Sequence, residues 1–494
     1  MTVAPTPTPT RAQLRRDRRA VMAVSRRRRS TELILIVMAV VITGAAYTIS
    51  ALGEDAEIPP GIVVFVLFLL GLLVCAHMVV WYVAAGADST LLPVAALLHG
   101  IGFVMITRLD NELAGLQATW SMIAILAFVG TLVVVQRASD LARYQWTFFA
   151  IGAGLLMLPM VPGVGQNING ARIWVSIGPI NFQPGEFAKI ALAIFFAAYL
   201  AERRELIAAS TWKIGPIHLP EPRFILPILV AWGFSVVVMV GQRDLGSSLL
   251  FFTLFVVLMW VATEKILYLL IGAVLFTGAA YFSWSQFSHV RTRVDIWIDP
   301  WSRSLDRGYQ IVQSLFGLAD GGMTGTGLGR GNPNQVPEAQ NDFIFAAIGE
   351  EMGLIGATAI LISYLLIIGA GLRTAIRTER PFEKLLATGL TTIIGVQAFI
   401  IIGGVIKVVP LTGITLPFVS YGGSSLIANY ILLALLLRVS DSAARRLGEL
   451  PNEATTAERI AAWRLRSQVR RGKVTAVDVD DIDDLAASSP GTAP

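Results

Sequence analysis

Four short stretches place charged or hydrogen-bonding side chains in an otherwise apolar chain, and each has the composition of a reaction site. Gln183-Pro184-Gly185-Glu186-Phe187-Ala188-Lys189 sets a carboxylate and an ammonium three residues apart, so on a helix they share one face and can pair. Pro184 suits a first helical turn. Such a pair can orient a substrate or be a buried structural ion pair, and spacing alone does not separate the two. Gln242-Arg243-Asp244-Leu245-Gly246 is a charged break between apolar runs, readable as a binding turn or as an interfacial hairpin. Pro337-Glu338-Ala339-Gln340-Asn341-Asp342-Phe343 leads into an apolar run carrying Gly349-Glu350-Glu351. Asp342 falls beside a helix start, where the dipole favours its anionic form; a plain N-cap is the alternative. Pro410-Leu411-Thr412-Gly413 through Leu416-Pro417-Phe418-Val419-Ser420-Tyr421-Gly422-Gly423-Ser424-Ser425 demands special backbone geometry, such as a re-entrant turn against protein.

The elements that hold these stretches are set by the solvent. Of 494 residues, 54% are hydrophobic and 15% charged, with a mean hydropathy of +0.65; soluble domains carry about 25% charged residues. Each membrane crossing needs about 20 apolar residues in a helix that satisfies its own backbone. The hydropathy pattern predicts an all-α polytopic membrane protein with about twelve spans, near 33–52, 61–85, 91–108, 120–136, 145–161, 183–202, 224–241, 246–262, 265–283, 347–371, 385–406 and 422–438. No alternating ten-residue segments suggest a barrel. One long connection, 284–346, carries Trp297, Trp301, Tyr309 and a Gly-rich stretch, a composition that predicts an ordered surface.

Basic residues orient the spans. Arg11 to Arg19 and Arg26 to Arg29 precede the first span, and Arg137, Arg143, Arg203, Arg204, Arg373, Arg377 and Arg380 fill alternate short connections. Residues 53–60 and 109–119 hold no Lys, and no Arg. The positive-inside rule places both termini in the cytoplasm, and parity then puts all four polar stretches at the outer membrane face, where they converge on one cavity. The expected organisation is a basic disordered tail (1–32), a two-helix extension (33–85), a core (86–440) with the long loop, and a cytoplasmic tail (441–494) ending in solvated acids. The first span, about twenty residues long, reads as an uncleaved anchor.

Other chemistries have less support. A lone cysteine, Cys75, excludes an intrachain disulfide and a cysteine metal centre. The four histidines have no ligand spacing, so no resident protein metal site is expected. The N-terminal arginines lack the stacking aromatics of a nucleic-acid surface and are expected to set topology.

The polar stretches, together with Asn169-Gly170-Ala171-Arg172-Ile173-Trp174 and Asp244-Leu245-Gly246-Ser247, resemble the SEDS family, the RodA/FtsW group of bacterial cell-wall polymerases. Asp342-Phe343-Ile344-Phe345 with Gly349-Glu350-Glu351 and Leu416 to Ser425 complete the match. The resemblance runs from about residue 90 to 440, in family order and spacing. The family usually has Ser at Gly185, Arg at Ile173, and His-Thr at Gln340-Asn341. It implies a ten-helix core, so the first two spans are an extension.

The resemblance further implies a peptidoglycan glycosyltransferase joining lipid II units at the outer membrane face, with Asp342 as the essential loop aspartate. That role is a general base for the acceptor 4-hydroxyl, which attacks the donor anomeric carbon and expels undecaprenyl diphosphate with inversion. A hydroxyl needs a positioned base and the diphosphate needs cations or a metal ion. Lys189, Arg172 and Arg243 are the candidate cations, Lys189 foremost; Glu186 would hold Lys189 in place, and Asp244 is a further candidate substrate-binding residue. Glu338 is expected to orient the loop or a divalent cation, Mg or Mn. A class B penicillin-binding protein is the implied partner, with membrane lipid around the spans and no nucleic acid. The long tails lean toward the elongation-type RodA branch over division-type FtsW. A lipid II flippase and a noncatalytic scaffold are the competing classes; no internal repeat supports a transporter.

Overall fold

The computed structural model describes residues 11–447 apart from 55, 58–60, 169–170, 179, 210–211, 215–216 and 220. The Thr-Pro repeat at 6–10, Asn169-Gly170 and the acidic end fall outside the described residues.

The chain is a bundle of helices: α1 (Arg11–Glu54), α2 (Ile62–Val83), α3 (Leu91–Leu109), α4 (Leu113–Val134) and α5 (Gln145–Met157). A small antiparallel sheet follows, made of β1 (Gly165–Ile168), β2 (Ala171–Ile177) and β3 (Ile180–Phe182) in that order. Then come α6 (Pro184–Ala209), the hairpin of β4 (Trp212–Ile214) and β5 (Ile217–Leu219), α7 (Pro222–Gly241), α8 (Leu245–Thr263) and α9 (Leu267–Gln286). The long connection holds α10 (Ser288–Ile298) and α11 (Tyr309–Gly321). The chain closes with α12 (Ile344–Arg377), α13 (Pro381–Val405) and α14 (Gly423–Arg446).

Eleven described helices are long and apolar enough to cross a membrane, not the twelve expected. The missing one is 145–161. Its α5 has 13 residues and passes into a 3-10 turn at Leu158–Met160, where Pro159 supplies no amide for a continued helix. At 1.5 Å per residue, α5 is shorter than a ~30 Å hydrocarbon core. Helix α1 includes the described residues from Arg11 onward, as a run rich in Arg and Ala allows. The spans vary in burial for a physical reason. Helices α3, α6, α13 and α14 have mostly buried side chains, whereas α9 exposes Val274, Leu275, Phe276, Tyr281 and Phe282. A helix apolar all round, with much of that surface uncovered, needs a lipid-like solvent.

The long connection is ordered, as its aromatics predicted: Trp297 Nε1 donates to the Lys407 carbonyl at 3.1 Å, docking α10 on the segment between α13 and α14. Within α12 the helix breaks at Gly353, whose φ of +66° only glycine adopts without strain. Arg172 lies on β2, in a sheet that the membrane-helix pattern did not reveal.

Candidate active site

The site is built where α6, α8 and α12 begin and where α10 and the 406–422 segment meet them. Its open part is the turn that delivers Asp342. Glu338 sits at a φ of +56° and accepts a bond from Asn341 Nδ2 at 2.7 Å. Ser420 Oγ donates to the Asn341 carbonyl at 2.6 Å, and Tyr421 N donates to the Gln340 carbonyl at 2.9 Å. Tyr364 of α12 donates to the Pro417 carbonyl at 2.6 Å. The turn and the 410–422 segment are therefore one stitched unit, and the expectation of special backbone geometry holds at Phe418, a buried residue with φ of +66°.

Arg293 of α10 reaches the same unit and donates to the Thr412 carbonyl at 2.6 Å and the Leu411 carbonyl at 3.2 Å. A methyl group added at Gly413, where φ is +79°, would lie 3.5 Å from Asp342 Oδ2 and 3.7 Å from Arg293 Nη2. The half-buried Asp342 carboxyl is pushed up to about 6, chiefly by burial. The Arg293 charge opposes that rise and the Glu338 charge adds to it. Burial thus outweighs the helix dipole that was expected to favour the anion. Burial also pushes the Arg293 guanidinium down, against the holding charges of Asp342 and Asp244.

The buried part lies at the start of α6. Lys189 Nζ is 2.8 Å from Glu186 Oε2 and donates to Gln397 Oε1 at 2.9 Å. Gln397 Nε2 donates in turn to the Thr415 carbonyl at 2.8 Å, and Gln183 N donates to Ser424 Oγ at 3.0 Å. Asp244 caps α8, accepting from Ser247 N at 2.9 Å, within electrostatic reach of Glu186 and Lys189. Arg172 N donates to the Gln242 carbonyl at 3.1 Å, so β2 lies beside the Gln242–Asp244 break. The Arg172 and Arg243 side chains are exposed. Arg243 and Arg293 both hold the His289 imidazole below its usual range, after burial as the larger cause.

All seven residues singled out from the sequence meet here, in two parts. Glu186 and Lys189 form a buried ion pair with the half-buried Asp244 within electrostatic reach, and β2 brings the Arg172 backbone beside the break that carries Arg243; Asp342 and Glu338 share the turn. The two parts are joined by Arg293, which feels both Asp342 and Asp244. Sequence reasoning missed Arg293. Its signal was the pair Arg293 and Trp297, four apart and so on one helical face, in a segment whose helix was not predicted. Lys189 pairs with Glu186, as their three-residue spacing predicted, and is also bonded to Gln397, a partner the sequence did not reveal. Among the described residues no three or more His, Cys, Asp or Glu side chains form a metal-holding group.

Residues 87–445 match the FtsW/RodA/SpoVE cell cycle protein family. The chain is 44% identical to the peptidoglycan glycosyltransferase RodA of Mycobacterium tuberculosis, over 86% of this chain and 93% of that one. It is 33% identical to the probable peptidoglycan glycosyltransferase FtsW of a Geobacter species, over 72% of this chain and 97% of that one. A solved chain from a peptidoglycan synthase complex coordinating polymerization and crosslinking superposes with a TM-score of 0.60 at 28% identity, covering 72% of this chain and 98% of its own. The crystal structure of Thermus thermophilus RodA gives 0.51 at 26% identity, covering 72% and 96%. The chain belongs to the FtsW/RodA/SpoVE family, and within it to the RodA-type peptidoglycan glycosyltransferases.

Proposed function

We propose that this enzyme polymerises lipid II at the outer face of the cytoplasmic membrane for cell elongation, with Asp342 as general base. The observation that carries the reading is the Asp342 carboxyl, seated beside Arg293 and poised near 6, so that it is largely ionised at neutral pH yet basic enough to take a proton. The acceptor 4-hydroxyl oxygen attacks the donor anomeric carbon while its proton passes to Asp342. The bond from that carbon to the diphosphate breaks, and undecaprenyl diphosphate leaves with the electron pair, inverting the centre. Arg293, Arg172 and Arg243 are the cations that meet the diphosphate. Lys189, held by Glu186, orients Gln397 and through it the Thr415 carbonyl.

A divalent ion fits this chemistry in one form only. Glu338 would hold Mg or Mn jointly with the substrate's diphosphate oxygens, the usual shared site for Mg; the ion would neutralise charge on the leaving group and leave Asp342 free as the base. The asymmetry of basic residues supports cytoplasmic termini, and with the short α5 counted as a crossing it supports a site at the outer face. A class B penicillin-binding protein is the partner this reading requires, to crosslink the glycan.

Purified chain in nanodiscs, given lipid II and divalent ions in titration, tests the proposal on a glycan gel. Polymer from the wild type and none from Asp342→Asn is the expected result. Translocation of labelled lipid II without polymer would replace the polymerase by a transporter.

A further inference from the structure

Helices α1 and α2 lie outside the family-matched residues, yet α1 ends against the segment that leads into the active-site turn. The approach is backbone on backbone. A Cβ at Gly53 would lie 2.3 Å from the Leu328 carbonyl oxygen, and one at Gly329 would lie 2.0 Å from the Ser50 carbonyl oxygen and 3.0 Å from Glu54 N. Gly329 also holds a φ of +77°, so neither position accepts another residue unchanged.

Arg108 of α3 locks the contact. Its Nη1 is 3.3 Å from Glu54 Oε1, its Nη2 donates to the Gly331 carbonyl at 3.1 Å, and its Nε lies 3.2 Å from Glu351 Oε1. Glu351 Oε2 accepts from Gly329 N at 3.1 Å, and Glu350 Oε1 accepts from Asn332 N at 2.5 Å. From Asn332 the chain runs on through Pro333 and Glu338 to Asp342. Midway along its length α1 is pinned as well. Arg29 bonds Glu32 and the Ala87 carbonyl, and Glu32 Oε1 meets His77 Nδ1 of α2 at 2.7 Å, all fully buried.

We propose that α1 is a positioning element for the active-site turn, acting through Gly53 and Glu54 on the 325–331 segment and so on the seat of the Asp342 carboxylate. The inference rests on Asp342 being the base. A helix pinned at Arg29 and Glu32 and touching that segment by its backbone at Gly53 sets the height of the segment over α12. Small displacements of a reacting group are costly, about 10²-fold for 1 Å.

The test uses the full chain in nanodiscs with lipid II as substrate. Gly53→Val forces the two backbones apart, Glu54→Gln removes one ion pair while keeping the side chain's shape, and Gly71→Leu on α2, which meets nothing within 4 Å, is the control. Gly53→Val is expected to lower kcat about 10-fold or more with KM changed less than about 2-fold and to move the acid limb of the pH profile. Glu54→Gln should do the same to a smaller extent, and Gly71→Leu should do neither. If Gly53→Val does not fold, Glu54→Gln decides alone. A merely structural role would lower the yield of folded protein and leave the kcat and acid limb of what folds at wild-type values; that result overturns the proposal. Activity surviving Asp342→Asn would instead remove the reading on which the proposal stands, whatever Gly53→Val does.

Discussion

Arg293 Nη2 and Asp342 Oδ2 both lie within 4 Å of where a Cβ on Gly413 would stand, although they come from different segments of the chain. The arginine is anchored by two carbonyls of the same segment, so its position beside the carboxylate is fixed before any substrate arrives. Preorganised charge of this kind stabilises charge that develops during reaction.

Replacing Asp342 with Asn keeps the size of the side chain and removes the base. Glycan formation should fall by about 10²–10⁴, the usual worth of general-base help, with the thermal unfolding midpoint in detergent near that of the wild type. A gel of products from purified lipid II and a melting curve measure both; undiminished polymer would exclude Asp342 from the reaction.

The pH profile follows from the same carboxyl. A general base works deprotonated, so the rate should be flat above about 6 and drop tenfold per unit below it. Arg293→Gln removes the charge that favours the anion, so the acid limb should move to higher pH. Glu338→Gln removes the charge that disfavours it, so the limb should move lower. Initial rates from pH 5 to 8 decide, and shifts in the opposite directions would contradict the electrostatic account.

Lys189→Met leaves the Glu186 carboxylate buried without its cation. Loss of one member of a buried pair costs about 3–5 kcal/mol, while removing both members is much milder. Lys189→Met should therefore unfold well below the wild type, and the Glu186→Gln, Lys189→Met double variant should recover much of the difference. Additive losses in thermal melts would show that the two do not act as a pair.

Gly413→Ala introduces a side chain at a φ of +79°, a conformation costing about 1–3 kcal/mol for other residues. The added methyl meets Asp342 only at ordinary contact distance, so the effect comes from the backbone that carries the Arg293 acceptors. A reduced kcat is expected, with a small loss of stability; a fully active Gly413→Ala enzyme would refute the importance of that turn.

Much was legible in the amino-acid order because its causes are local. The apolar runs that must satisfy their own amides in lipid, the three-residue spacing of Glu186 and Lys189, and the Gly and Pro density of 410–425 are all short-range facts. Asp342 was identifiable by its motif. What the tertiary structure alone decided is contact between distant segments: that Lys189 is occupied by Gln397, that Arg293 stands beside Asp342, and that α1 reaches the segment before the active-site turn. The length of α5 and the small sheet holding Arg172 also depended on it, since hydropathy averages over a window and does not register where Pro159 ends a helix. Hydropathy and spacing fix which residues are costly in a membrane, but only packing determines which of them neutralise one another and which are left to act on a substrate.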